Sequence, residues 1–591
     1  MNYERKSNWT FGENEPNSKP IKANVKIGKI GTEWQRHIVD FIPRRSSLCS
    51  FVPQCLCGYE SIMKNKANQS QSVFLPGGHL PRLITLLLLC FAVPAAPAAP
   101  EEITVSSLKE LIKVARKVSA GKTIIVAPGA YELPQQLNFE GRGTAEHPVV
   151  LKALEPGKTV FCGSGRMRIE DSSWVRVEGF LFKGKGGIYC EDSEHIRITD
   201  NRFLMEDTED KREKLYWVQF KFSRHVRVDH CEFGRRSSAG SYIHFSPGNR
   251  YARIDHNYFH DYKELGTNDG SSVYLHGDGK WAHYAIVERN LFVRCNGEHE
   301  LICIKSHRNV IRGNTFLNCK GAVSIRDGNY NDIYSNIFLA SDEPNAGAVR
   351  FHGKFNVFAN NYLEGIAMPI ECCWGDTDPP HMADELGPGK LAFAYRASPN
   401  NLVAHNSFVK CDVVFHWFKK GIKLETITPK LKKAALEPFL IDFWEKETSS
   451  HRRGDIVDPR YAPRAWYIYN NLILNTDQLI STKTSHGASL PVREKDFHWI
   501  GNISSKGIDT GQWRSLHAHQ LELVDLGTTQ GTDGLLELRK RRPVGSASEL
   551  AAFWAERNGD DENLKAVLSL NEFTGTEKDN ILEVNDVGTS W

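Results

Sequence analysis

Short stretches of alternating apolar and polar residues recur along the middle of the chain. "IRITDNRF" begins at 196, "VRVDHCEF" at 226, "ARIDHNYF" at 252, "AIVERNLF" at 285 and "NVIRGNTF" at 309. "NDIYSNIF" begins at 331, "NVFANNYL" at 356 and "LVAHNSF" at 402, with weaker copies "VRVEGFLF" at 175 and "WYIYNNLIL" at 466. Each copy is a short β-branched strand, a polar corner that is usually Asn, and then an aromatic. The corners are Gly179, Asn201, Cys231, Asn257, Asn290, Asn314, Asn336, Asn361 and Asn406, and the tightest steps are 22, 24, 22 and 25 residues. Such a period is too short for a propeller blade and lacks the leucine pattern of leucine-rich repeats. It predicts an all-β fold, a right-handed parallel β-helix, with three short strands and three bends per coil. Stacked coils would align Val, Ile and Phe in inward ladders and let Asn hydrogen-bond from coil to coil.

The ends of such a stack need covers. "SSLKELIKVARKV", 106–118, pairs Ser107 with Glu110 in a capping box and puts Leu108, Leu111, Ile112 and Ala115 on one face, so a helix over the first coil is expected. "SASELAAFWAERNG" repeats the design with Ser546, Glu549, Leu550, Phe553 and Trp554. Residues 416–465, rich in Lys and Trp, break the rhythm and read as an insertion between coils. The expected organisation is therefore a β-helix over 99–545 and a helical or irregular tail over 546–591.

Upstream the pattern is of another kind. Residues 83–93, "LITLLLLCFAV", form an apolar run too short to span a bilayer, and "PAAPAAPEE" follows. Together with Lys64, Lys66 and Arg82 this reads as a signal peptide over 63–98, cleaved before Ala99. Residues 1–62 then lie outside the mature fold, and the protein is expected to be secreted or periplasmic. Leu89 stands where a lipoprotein signal wants a small residue before Cys90, which disfavours a lipid anchor.

Composition adds little. The chain of 591 residues is 40% apolar and 25% charged, with a net charge of +3, so no strong field points to nucleic acid. Of its 13 cysteines, four precede residue 91. The other nine show no CxxC or zinc spacing and read as small buried hydrophobes.

The stretch "NGEHELICIKSHRN", 296–309, carries the candidate chemistry. Glu298 and Glu300 are two apart, so a straight strand puts them on one face. There they repel unless a cation or water intervenes, and an all-oxygen site favours Ca²⁺ over zinc. Lys305 has the opposite parity to Glu300 and joins the same site only if the strand is broken. Arg326, in "GAVSIRDGN", follows Lys305 by 21 residues, close to one coil. From spacing alone, a solvated acidic face and two ordinary surface cations are the simpler reading of the same text.

The runs "NGEHELICIKSHRNVIRGNTF" and "GAVSIRDGN", with the loop "LGTNDG" and the early "GTAEHPVVLKA", resemble polysaccharide lyase family 6, the chondroitinase B and alginate lyase family. The resemblance spans most of 100–410 and returns more weakly at "DGLLELRKRRPVGSA". It implies that Glu298, Glu300 and Asn268 bind Ca²⁺, that Lys305 is the general base and Arg326 the general acid, and that Arg350 contacts substrate. The implied reaction is β-elimination on an acidic polysaccharide, with alginate the commonest substrate of the family and dermatan sulfate the alternative. Asp327 stands where the family usually has histidine, which places it among the candidate substrate contacts, and Ser271 stands where an acid is common. Two readings of other classes remain: a glycan-binding β-helix without catalysis, and a pectin-type glycoside hydrolase using Asp327 and Asp332.

Overall fold

The computed structural model describes residues 101–540, apart from 374–397, 419–421, 424–455, 458–462, 482–496 and a few loop positions, and also 553–557. All of these belong to one compact unit, Ala99–Trp591. Residues 1–62, the expected signal peptide over 63–98, and Ser546, Glu549 and Leu550 of the expected second helix lie outside the described residues.

The chain forms a parallel β-helix. Each coil contributes one strand to each of three sheets. The first sheet contains Ile286–Glu288, Val310–Arg312, Asp332–Tyr334 and Val357–Ala359, and the second contains Leu291–Cys295, Thr315–Leu317 and Ile337–Leu339. The third contains Val273–His276, Glu300–Lys305, Ala322–Ile325, Gly347–Phe351 and Met368–Cys373. Fourteen strands stack in the second sheet. Among the described residues, Ile422–Lys423 with Ile456–Val457 is the single antiparallel pairing, and it falls inside the expected insertion.

The repeat works through its corners. The residue before each corner Asn is left-handed, as at Arg289, Ser335 and Asn360, with φ of 53°, 55° and 54°. Such a conformation is unfavourable for a side-chain-bearing residue, and the ladder that follows supplies the compensation. Asn290 donates its backbone N–H and its side-chain amide to Asn314 Oδ1, both at 3.0 Å. Asn314 repeats this toward Asn336 and donates back to the Val287 carbonyl at 2.8 Å. The ladder continues through Asn361, Asn406, Asn471 and Asn502. Behind it Phe182, Phe203, Phe233, Phe259, Phe292, Phe316 and Phe338 stack with ring centroids 4.6–5.0 Å apart, the spacing of adjacent strands.

A second asparagine ladder, at the corner between the third and first sheets, was not anticipated. Asn309, Asn331, Asn356 and Asn401 are linked at 2.8–3.0 Å. Three of them are the first letters of the repeats at 309, 331 and 356, so the signal was present in the same strings.

The first cap is shorter than expected. The helix runs Leu108–Ala115, with Ser107 accepting from the Glu110 N–H, and Arg116–Ser119 is already a strand. Glu110 reaches back to the Ser106 N–H at 2.8 Å rather than to the N-cap itself. Arg116, Val118 and Ser119 pair with the strand Leu137–Arg142, a tertiary pairing that overrides the helical pattern. A helix at Gly531–Lys540 was not foreseen. Its Leu535 and Leu538 pack on Leu472, Leu474 and Ile503. Of the expected tail helix, residues 553–557 are helical, with Phe553 and Trp554 buried.

Candidate active site

The outward face of the third sheet holds the candidate residues, and a bulge assembles them. Glu300 pairs with Ala322 and Ile302 with Val323, so Leu301 is an extra residue in its strand. Leu301 and Ile302 both point into the core. The parity of the strand is thereby reset: beyond the bulge Cys303 and Lys305 share the outward face with Glu300. This is the break that the sequence required. Ile304 pairs with Ile325, and the Arg326 N–H donates to the Ile304 carbonyl at 2.9 Å. Arg326 therefore follows Lys305 one coil on.

Around Glu300 the charges interlock. Its carboxylate accepts from Cys303 Sγ at 3.0 Å, from Arg326 Nη1 at 3.2 Å and from Arg350 Nη1 at 3.3 Å. Burial pushes this carboxyl up, but Arg326 and Arg350 outweigh it and hold it at about 2. Arg350 also leans on Glu371 at 3.7 Å, and Glu371 meets His299 Nε2 at 2.9 Å. Glu298 is not on the strand. Its carboxylate accepts the N–H groups of Asp269 and Gly270 and the Ser271 hydroxyl, at 2.8–3.1 Å. Burial, and then the charge of Glu300, push it up to about 7. Asn268 is exposed on the loop that makes these bonds. The amine of Lys305 lies 5.1 Å over the Tyr274 ring, and His276 is its strand neighbour on the coil before. Asp327 is half-buried at the bend after Arg326.

A family model described as Chondroitinase B matches residues 105–437, more than half of the chain. The chain belongs to this family, polysaccharide lyase family 6. No curated relative matches the family 6 chain by sequence. Among solved structures it is similar to a mannuronic acid specific family 6 lyase from human gut microbiota, at 21% identity and TM-score 0.55, covering 75% of this chain and 94% of that one. It is similar to the family 6 alginate lyase AlyGC at 22% identity and TM-score 0.57, covering 73% and 54%. A third likeness is the family 6 lyase Pedsa3628 from Pseudopedobacter saltans, at 21% identity and TM-score 0.53, covering 73% and 97%. At these identities the structures speak to the fold.

The donor set of this family 6 site fits a hard cation. Among the described residues no group of three or more His, Cys, Asp or Glu gathers as a metal centre. A cation would instead take the Glu298 and Glu300 carboxylates with neutral oxygens such as that of Asn268. Burial, with the charge of Glu300 added to it, disfavours the Glu298 carboxylate, and a divalent ion held between the two would offset both.

Sequence reasoning missed several groove residues. His244 and Tyr274 stack at 4.9 Å beside Lys305. Burial, with His276 and Lys305, pushes His244 down to about 3, so it is neutral. Burial pushes the Tyr274 phenol well up, which argues against it as a phenolate base. His299, between the two glutamates, holds Glu371. Glu371 lacks any local motif; it becomes visible only through its register with Arg350. The cysteines behave as expected, with seven of the eight described ones buried. Cys303 is the one drawn into the site. The hydrolase pair does not assemble: Asp332 lies on the first sheet, buried against Arg557 at 2.8 Å.

Proposed function

We propose that this family 6 lyase cleaves a uronate polysaccharide, alginate first, by β-elimination, with Lys305 as base and Arg326 on the leaving-group side. The observation that supports it most is the bulge at Leu301, which sets Lys305 and Arg326 on adjacent coils of one groove with Glu300 between two arginines. Lys305 takes the C5 proton, the C4–O4 bond breaks, and a C4=C5 double bond forms at the new non-reducing end. The departing O4 receives a proton from Arg326 or from a water that it positions, since guanidinium is a very weak acid. Arg350 and Asp327 flank this position as substrate contacts. Arg350 is already tied to Glu300 and Glu371, so its orientation is fixed before substrate arrives.

Glu298, Glu300 and Asn268 would hold Ca²⁺. Bound there, it would offset the charge of the substrate carboxylate as the dianion develops. Within alginate, mannuronate and guluronate blocks are both candidate substrates; dermatan sulfate is the second candidate polymer. Export follows from the segment 63–98, with the mature chain starting near Ala99. No helix among the described residues is long and apolar enough to cross a membrane.

One assay tests the reading. Purified protein is offered alginate, its mannuronate and guluronate blocks, and dermatan sulfate. A lyase generates an ultraviolet-absorbing unsaturated end. Reducing ends without that absorbance would establish a hydrolase, and binding without either product would establish a carbohydrate-binding β-helix.

A further inference from the structure

A cavity of about 560 Å³ opens far from Lys305, lined by Gln135, Gln136, Arg166, Arg168 and Tyr189. It lies on the outward face of the same sheet. The register runs unbroken from it to the site: Tyr189 pairs with Gln219, Gln219 with His244, His244 with Tyr274 and Tyr274 with Cys303. Four strand steps of about 4.8 Å separate Tyr189 from Cys303, roughly 19 Å along the axis. A polysaccharide lying along this face meets both places at once.

The two arginines of the cavity differ. Arg168 is committed to acids, to Glu170 and, at 3.1 Å, to Glu191. Arg166 has no acid partner among the described residues; the residue is half-buried, and its guanidinium carbon rests 5.8 Å from the Tyr189 ring centroid. A free guanidinium suits a carboxylate. The Tyr189 ring offers an apolar face to a pyranose, and Gln135 and Gln136 offer amides to hydroxyls.

We propose that this cavity is a remote subsite for a uronate residue of the same polymer chain whose cleavage occurs at Lys305. It rests on the reading of the protein as a uronan lyase. It makes affinity depend on chain length: a trisaccharide at Lys305 falls short of the cavity, whereas a polymer reaches it and is held at two points.

The test compares wild type with Arg166→Gln, a half-exposed position outside the catalytic group, on polymannuronate and on its trisaccharide. The expected result is a KM for polymer raised about three- to tenfold, with kcat and the trisaccharide kinetics unchanged. Arg166→Lys should recover part of the loss. An unchanged polymer KM, or an equal effect on polymer and trisaccharide, overturns the subsite. Affinity electrophoresis through alginate separates this from failure of the lyase reading. If wild type cleaves no uronan, retardation by alginate that Arg166→Gln abolishes still supports the subsite, and equal migration of the two proteins overturns it.

Discussion

Asp332 and Arg557 stand 225 residues apart and form a buried ion pair, with side chains 6% and 1% exposed. Arg557 also lies over the Trp554 ring, and Phe553 packs against Phe355 and Tyr467. The pair thus pins the 553–557 helix to the outside of the first sheet. Arg557→Ala leaves a buried carboxylate without its counter-ion, which costs about 3–5 kcal/mol. The pH dependence identifies the cause. Burial already pushes the Asp332 carboxyl above its usual range despite Arg557, and losing Arg557 pushes it further. A carboxyl whose folded pKa is raised favours the folded state at low pH, and that contribution is lost as pH rises from its unfolded value, about 3.9, through the folded one. The Arg557→Ala defect should therefore shrink at pH 5 and grow toward pH 8. Replacing both partners together, as Asp332→Leu with Arg557→Met, should cost much less than the sum of the single changes. Urea unfolding followed by tryptophan fluorescence measures wild type, Arg557→Ala, the two single changes Asp332→Leu and Arg557→Met, and the double change. Because Asp332 has no catalytic part, Asp332→Asn should keep its turnover. A stability of Arg557→Ala within about 0.5 kcal/mol of wild type would refute the pinning. A folded Asp332→Asn that has lost turnover would return Asp332 to the catalytic candidates.

Three further outcomes are expected. Lys305→Ala and Lys305→Arg should both lose turnover by orders of magnitude while still binding oligosaccharide, because guanidinium stays protonated where an amine base must be neutral; substantial turnover by Lys305→Arg would place the base elsewhere. Chelation should abolish turnover with little change in unfolding, added Ca²⁺ should restore it, and Glu300→Gln should weaken metal binding measured by calorimetry. In acid, stability should hold to about pH 5 and decline toward pH 2. The His260 hydrogen bond, aided by Arg202 against the effect of burial, holds Glu232 at about 2, and His256 and Arg227 outweigh burial to keep Asp255 low; carboxyls with lowered folded pKa values stabilise above their unfolded values and lose that as pH falls through the folded ones.

Why was the fold so legible and the site only partly so? A coil repeats its physical problem every 22 residues or so, and each solution leaves the same letters: β-branched residues inside, a left-handed corner, an Asn to bind the next Asn. Repetition turns weak local signals into a strong one, which is why even the second ladder was present in the quoted strings. A cap occurs once. Arg116 to Ser119 carry a helical pattern and pair as a strand, because the edge of the first coil offers hydrogen bonds that no local pattern encodes. The site sits between these cases. Glu298, Glu300, Lys305 and Arg326 stand out as charges beside an apolar run, so they could be picked out as candidates, while their expected roles came from the family resemblance alone. Their geometry depended on the single extra residue Leu301, and a bulge has no letter of its own: Leu301 and Ile302 are two apolar residues in an apolar run, and only the neighbouring coils decide that both turn inward. The partners one and two coils away were hidden for the same reason. Arg350 reaches back 50 residues to Glu300, and Glu371 meets Arg350 by register. Insertions between coils obscure that arithmetic: the corner step from Asn361 to Asn406 is 45 residues and the next, to Asn471, is 65. A groove across many coils is therefore built from residues whose spacing in sequence is irregular while their spacing in space is one strand, and a polymer substrate reads only the second.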